Sequence, residues 1–186
     1  MASPRIIAGS AKGVRLKSVP GSITRPITDR VKEALFNIIG SDIAGATFLD
    51  LYAGTGSVGL EALSRGATFS RFTEINSTVI KILNENILSC GFKDKSHVIR
   101  IDALRYITSN PKTQFDYIYI APPQYKTIWV QTLNLINLNT HHCTSDCWVI
   151  TQIDPLEYQE TTLDAFIEID RRRYGNTMLL FFSKIN

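Results

Sequence analysis

Between Phe48 and Gly66 an apolar run, a glycine-rich turn and a helical pattern follow one another, a succession few folds use. Phe48–Tyr52 is broken only by Asp50 and reads as a short buried strand. Ala53–Gly56 is small and turn-prone. Val58, Ala62 and Leu63 then recur at helical spacing as far as Arg65, with Gly66 placed as a cap. Gly54 and Gly56 let the backbone turn sharply and approach a ligand, and the helix start offers free N–H groups. Gly54-x-Gly56-x-x-Gly59 matches the dinucleotide fingerprint, with Glu74 at the distance of an acid that grips ribose hydroxyls. Spacing alone does not separate a dinucleotide from S-adenosylmethionine, but Asp50 does. An acid at the end of the first strand repels a pyrophosphate and attracts an ammonium and a sulfonium. The expectation is an adenosylmethionine site, with a nicotinamide site or a ligand-free packing turn as alternatives.

The remaining chain alternates strand and helix. Thr28 is placed to cap a helix carrying Val31, Ala34, Leu35, Ile38 and Ile39 on one stripe, ending near Gly40. Strands are expected at Thr68–Glu74, His97–Ile101, Phe115–Ile120 and Cys147–Gln152, and helices around Val79–Leu88 and Ile128–Ile136. Ala165–Arg171 and Thr177–Ser183 read as a terminal hairpin around Tyr174–Asn176. The pattern predicts an α/β fold: a mostly parallel, doubly wound sheet with an antiparallel C-terminal edge. Ligands of such sheets bind at the carboxyl ends of strands, where Asp50, Glu74, Asp102 and Ala121 all fall.

Charge is distributed unevenly. Residues 1–32 hold seven Lys or Arg against the single acid Asp29, whereas the whole 186-residue chain nets only +3. Arg5-Ile-Ile-Ala and Gly13-Val-Arg-Leu-Lys17 read as a small basic hairpin outside the main core. The expected organisation is a basic extension over 1–24 and one domain over 25–186, with a polyanion meeting the extension through Arg5, Lys12, Arg15, Lys17 and Arg30. A merely solvated hairpin is the alternative. No apolar run approaches membrane-spanning length, and Met1–Pro4 lacks the apolar segment of a secretion signal. Cys90, Cys143 and Cys147 form no disulfide framework, which fits a reducing cytoplasm.

Four strand ends would divide the work of a methyl transfer. Asp50 and the turn Ala53, Gly54, Thr55 and Gly56 would hold the methionine part, Glu74 the ribose and Asp102 the adenine amino group. Tyr52, Ile75 and Ala103 lie beside them in the same expected site. Pro122 and Pro123 remove two backbone donors, so carbonyls such as that of Ala121 are left free to accept from an exocyclic amine. Its lone pair, otherwise delocalised into the base, is then presented to the methyl group. Tyr125 would stack on a base taken out of its helix. The plain alternative is a structural turn with a core tyrosine. His141-His-Cys143 fits no usual zinc spacing, so no metal is expected. Arg171–Arg173 reads equally as a phosphate contact or a solvated strand end.

Several blocks together carry a family resemblance: Arg5-Ile-Ile-Ala-Gly9 with Lys12-Gly13, Arg25-Pro-Ile-Thr-Asp-Arg-Val-Lys-Glu-Ala-Leu-Phe-Asn37, Leu49–Gly56, Gly59–Ala67 and Pro122-Pro123. Over nearly its full length the chain resembles the RsmD family, which methylates the 2-amino group of one guanine in small-subunit ribosomal RNA. The resemblance implies a Rossmann-like class I methyltransferase core of seven strands with an N-terminal β-hairpin that helps to hold RNA. It also implies S-adenosylmethionine as cofactor, a small ribosomal subunit (30S, carrying 16S RNA) as substrate and a monomeric enzyme. By position, Arg25, Thr28 and Asn37 would lie near the cofactor or target pocket. One departure stands out: the family turn is Asp or Asn, then Pro-Pro and an aromatic, whereas here it is Ala121-Pro122-Pro123-Gln124-Tyr125. Gln124 is the candidate substitute acceptor. A cofactor-binding assembly protein without turnover and a DNA adenine amino-methyltransferase remain as rival expectations.

Overall fold

A computed structural model of the protein describes residues 4–19, 27–109, 113–124 and 127–185. Its single sheet is made of β1 (Thr47–Asp50), β2 (Phe69–Glu74), β3 (Ser96–Arg100), β4 (Phe115–Ile120), β5 (Cys143–Ile153), β6 (Phe166–Tyr174) and β7 (Thr177–Lys184), in the order β3-β2-β1-β4-β5-β7-β6. The helices are α1 (Asp29–Ile39), α2 (Ser57–Ser64), α3 (Ser77–Ser89), α4 (Ala103–Thr108) and α5 (Ile128–Leu138). Strands β1 to β5 are parallel. β7 enters antiparallel between β5 and β6, so the expected antiparallel edge is a hairpin whose outer strand again runs with the others. Strand order reverses between β1 and β4, which fixes the switch point beside Asp50.

Alternation along the strands feeds two cores. Phe48, Phe72, Tyr117 and Tyr119 face α1, α2 and α3, where Leu35, Phe36, Leu60, Leu63, Leu83 and Ile87 are buried. Leu49, Ile118 and Val149 face α4 and α5, against Tyr106, Ile107, Trp129, Leu133 and Ile136. Among the described residues no helix is long and apolar enough to cross a membrane.

Two elements differ from expectation. α4 follows β3 directly, its N-terminus capped by Asp102, whose Oδ1 accepts the Arg105 N–H at 3.0 Å. At six residues it is too short to show a helical period. β5 starts at Cys143 rather than Cys147, and the preceding His142 is fully buried with Nε2 2.7 Å from the Ile107 carbonyl. His142 is a core residue. Among the described residues no group of three His, Cys, Asp or Glu is placed to hold a metal ion.

The N-terminal hairpin requires a correction. It exists as one antiparallel bridge, Arg5 to Arg15, flanked by the Ile6 N–H bond to Val14 and the Gly13 N–H bond to Ile6, both 2.9 Å. It does not lie outside the main core: Ile6, Ala11 and Leu16 are buried in the α1–α3 layer. A lone hairpin leaves outer N–H groups without partners, and α2 supplies them. Glu61 accepts from the Ile7 and Ala8 N–H groups at 2.8 and 3.0 Å. Ser64 accepts from Ser10 through its carbonyl at 2.8 Å and from Ala11 through Oγ at 3.0 Å. Gly9 stands where the hairpin crosses Ser64. Its φ is +81°, and a Cβ there would lie 1.7 Å from the Ser64 carbonyl oxygen. Glu61 is fully buried and also receives Lys32 Nζ at 3.3 Å and Arg65 Nε at 2.8 Å. The blocks Arg5–Gly9 and Glu61–Ala67 are therefore two halves of one contact.

Candidate active site

The turn after β1 is built from backbone. Gly54 and Gly56 have φ of +52° and +85°, and the Gly56 N–H closes the turn on the Ala53 carbonyl at 2.8 Å. Leu51 bonds across to Tyr119 of β4 and Ala53 to Thr73 of β2, at 3.0 and 3.1 Å, so the turn is suspended between its two neighbouring strands. Glu74 is brought directly to it: Oε2 accepts the Gly54 N–H at 3.2 Å, and Oε1 accepts from Ile75 and Asn76 at 2.9 and 2.8 Å. Asp50 lies beneath the turn, 2% exposed, with Oδ2 accepting the Gly59 N–H of α2 at 3.1 Å. Burial, seconded by the negative charge of Glu74, pushes its carboxyl up to about 7 against the opposing pull of that N–H. A cationic ligand group is the partner these two acids call for, and an anionic one would raise the cost further. The acceptor set thus fits the ammonium and sulfonium of adenosylmethionine. Asp102 and Ala103 follow at the next strand end; Asp102 is exposed, and Ala103 is buried. The three acids stand at successive strand ends, about 4.8 Å apart per strand.

Ala121 and Pro122 are half-buried where β4 ends, and Pro123 and Gln124 are exposed. Asp50 pairs in register with Tyr119, which places the proline turn one strand from the glycine turn. Tyr119 is buried below it and donates to Gln152 Oε1 of β5 at 2.5 Å. Tyr52 turns the other way, its hydroxyl 2.6 Å from Thr132 Oγ1 on α5, so its ring belongs to the α5 layer. Arg25 and Tyr125 lie outside the described residues, and with them the stacking assigned to Tyr125.

Thr28 caps α1, its Oγ1 accepting the Val31 N–H at 3.3 Å. With Val31 it lines a hollow of about 340 Å³ closed by Tyr174, Gly175, Asn176 and Thr177. This hairpin turn belongs to the same sheet edge as the proline turn, two to three strands or about 10–14 Å away across the sheet. The sequence pattern predicts only a turn at Tyr174–Asn176; the signal for a site there is topological, because a parallel β6 must end at the carboxyl edge. Asn37 is exposed nine positions after Thr28, which on a helix is the opposite side. The structure does not bring those two together. Arg5, Lys12, Arg15, Lys17 and Arg30 are all exposed. Arg5 pairs with Asp29 at 2.9 Å and Lys17 with Glu85 at 2.8 Å, both solvent-exposed contacts of little worth to stability. A larger hollow of about 530 Å³ lies between α3 and the edge strand β3, and it contains none of these residues.

The family model described as Conserved hypothetical protein 95 matches residues 4–183. Ribosomal RNA small subunit methyltransferase D of Escherichia coli is 34% identical over 137 residues, 73% of this chain and 67% of that protein. The chain belongs to the RsmD family. A second relative, YlbH of Bacillus subtilis, is provisionally named an rRNA methyltransferase and is 34% identical over 183 residues, 97% of this chain and 98% of YlbH. Among solved structures, HI0767 of Haemophilus influenzae, provisionally named a methylase, superposes with a TM-score of 0.82 at 26% identity over the whole of both chains. The RsmD-family fold is thus the class I methyltransferase fold expected from the sequence.

Proposed function

We propose that the protein transfers a methyl group from S-adenosylmethionine to the exocyclic 2-amino group of a guanine in small-subunit ribosomal RNA, carried in a nascent or assembled 30S particle. The observation that carries this reading is one juxtaposition. A buried carboxylate under a glycine turn stands one strand away from a proline turn that lacks backbone donors. The cofactor, when bound, supplies an electrophilic methyl group on a sulfonium. Asp50 retains Oδ1 for the ammonium, and Glu74, with three N–H groups already on its carboxylate, keeps capacity for a ribose hydroxyl. Asp102 uses Oδ1 as a helix cap and offers its other oxygen to the adenine amino group. The Ala121 carbonyl and Gln124 accept hydrogens of the target amine and so aim its lone pair. Catalysis is mainly positioning and exclusion of competing orientations. The hollow between α1 and the β6–β7 turn receives nucleotide near the target. Segment 1–24, packed on the core of the 25–186 domain through Ile6, Ala11 and Leu16, serves as its RNA-holding extension.

A cytoplasmic monomer that uses no metal fits this reading. Ala121 favours one second reading, a cofactor-binding assembly protein with little turnover. Two variants separate them. Gln124→Ala should lower kcat if Gln124 replaces the missing acceptor. Ala121→Asp should raise it by roughly 5- to 150-fold, the worth of one hydrogen bond to the amine. Unchanged kcat in both variants would leave the proline turn without its proposed role. A panel of small subunits, free ribosomal RNA and duplex DNA with labelled cofactor distinguishes RNA from DNA as substrate.

A further inference from the structure

Asn86 sits near the C-terminal end of α3, 1% exposed, and every part of its amide is used. Oδ1 accepts the Lys17 N–H at 2.8 Å and Nδ2 donates to the Lys17 carbonyl at 3.1 Å, so the side chain holds Lys17 as a neighbouring strand would. Nδ2 also donates to the Thr55 carbonyl at 2.9 Å. Thr55 lies between Gly54 and Gly56, both at positive φ. With no Cβ on either side, the orientation of its peptide planes is set by what its carbonyl binds. The amide is planar, so it cannot follow a shift of Lys17 without weakening its bond to Thr55. Lys32 makes a parallel connection nearby: Nζ donates to the Arg5 carbonyl at 2.6 Å and to Ser57 Oγ, the first residue of α2, at 3.1 Å.

We infer that Asn86 is a positioning residue that fixes the Thr55 peptide of the cofactor turn and ties it to the basic N-terminal segment, linking cofactor binding to RNA binding. The inference rests on the proposed function for the identity of the two ligands. Linkage of this kind is reciprocal: whatever steadies Lys17 tightens the turn, and a filled turn steadies Lys17. Ser64 is the natural control, because it anchors the same segment through the Ala11 N–H and the Ala8 carbonyl and, among the described residues, makes no hydrogen bond to the turn.

The test uses the full chain and S-adenosylhomocysteine, with affinity from calorimetry and backbone hydrogen exchange over residues 14–19. In the wild type, the ligand should slow exchange at the Lys17 N–H. Asn86→Asp keeps the acceptor for Lys17 and loses both donors, so affinity should fall about three- to tenfold and the slowing should vanish. Ser64→Ala should keep both even at a lower melting temperature. Exchange over 14–19 that ignores bound ligand in the wild type would overturn the inference, and that comparison needs no variant to fold. Equal loss of affinity in Ser64→Ala would overturn it as well. A wild type that binds no S-adenosylhomocysteine would remove the cofactor reading and the linkage with it.

Discussion

Asp50 pays for its position in stability. Its folded carboxyl titrates near 7, above the unfolded value of 3.8. Well below pH 3.8 it is neutral in both states and the difference vanishes. As pH rises toward 7 the unfolded chain gives up its proton first, so the folded state loses about 4 kcal/mol of relative stability, fully developed above pH 7. Asp50→Asn, whose Oδ1 still accepts the Gly59 N–H, should therefore raise the melting temperature of the ligand-free protein at pH 8 and leave it nearly unchanged at pH 4. The same variant should bind S-adenosylhomocysteine at least tenfold more weakly, because the ammonium loses its counter-charge. In the wild type, ligand binding at pH 7 should release about half a proton per ligand, seen as a calorimetric enthalpy that varies with the ionisation heat of the buffer. An enthalpy independent of buffer would mean that Asp50 does not meet the ligand's cation. Asp50 and the glycines were legible because charge and backbone freedom are local properties. The Asn86 amide was not, since its three partners lie 31 and 69 positions away and a lone asparagine in a helix carries no signal.

The N-terminal hairpin owes its place to α2 rather than to its own pairing. Glu61→Ala would leave Lys32 buried with its charge unpaired and free the Ile7 and Ala8 N–H groups. We expect a loss of about 3–5 kcal/mol in denaturant unfolding. Gly9→Ala should cost on the order of 3 kcal/mol and weaken RNA binding, because the new Cβ meets a backbone oxygen that cannot yield. Gly175→Ala also meets a positive φ but finds nothing within 4 Å, so it should cost about 1 kcal/mol. Equal costs at Gly9 and Gly175 would show that the hairpin is not held against Ser64 in solution. The strands β2 and β4 and the helices α1 and α3 were readable from their apolar periods and caps. The hairpin was misplaced because its basic residues signal solvent, while Ile6, Ala11 and Leu16 are too few to show a face. α4 was missed because six residues give less than two turns.

The sheet order turns these local pieces into a site. Parallel strands with one reversal bring Asp102, Glu74, Asp50 and Ala121 to four consecutive strand ends, and the C-terminal hairpin adds Tyr174–Thr177 at the same edge. Alternating elements in the sequence predict that class of sheet, and family resemblance narrows it to the RsmD pattern. The hollow beside α1 was not foreseeable from composition, because it exists only once β7 is inserted between β5 and β6. What the assembled edge is for is decided most directly by methyl transfer from labelled S-adenosylmethionine to small ribosomal subunits lacking the modification, with the labelled nucleotide identified after digestion. Label on the 2-amino group of a single guanine is the predicted result, and it would show that Ala121 is compatible with turnover. Label elsewhere, or none from a protein that binds the cofactor, would contradict it.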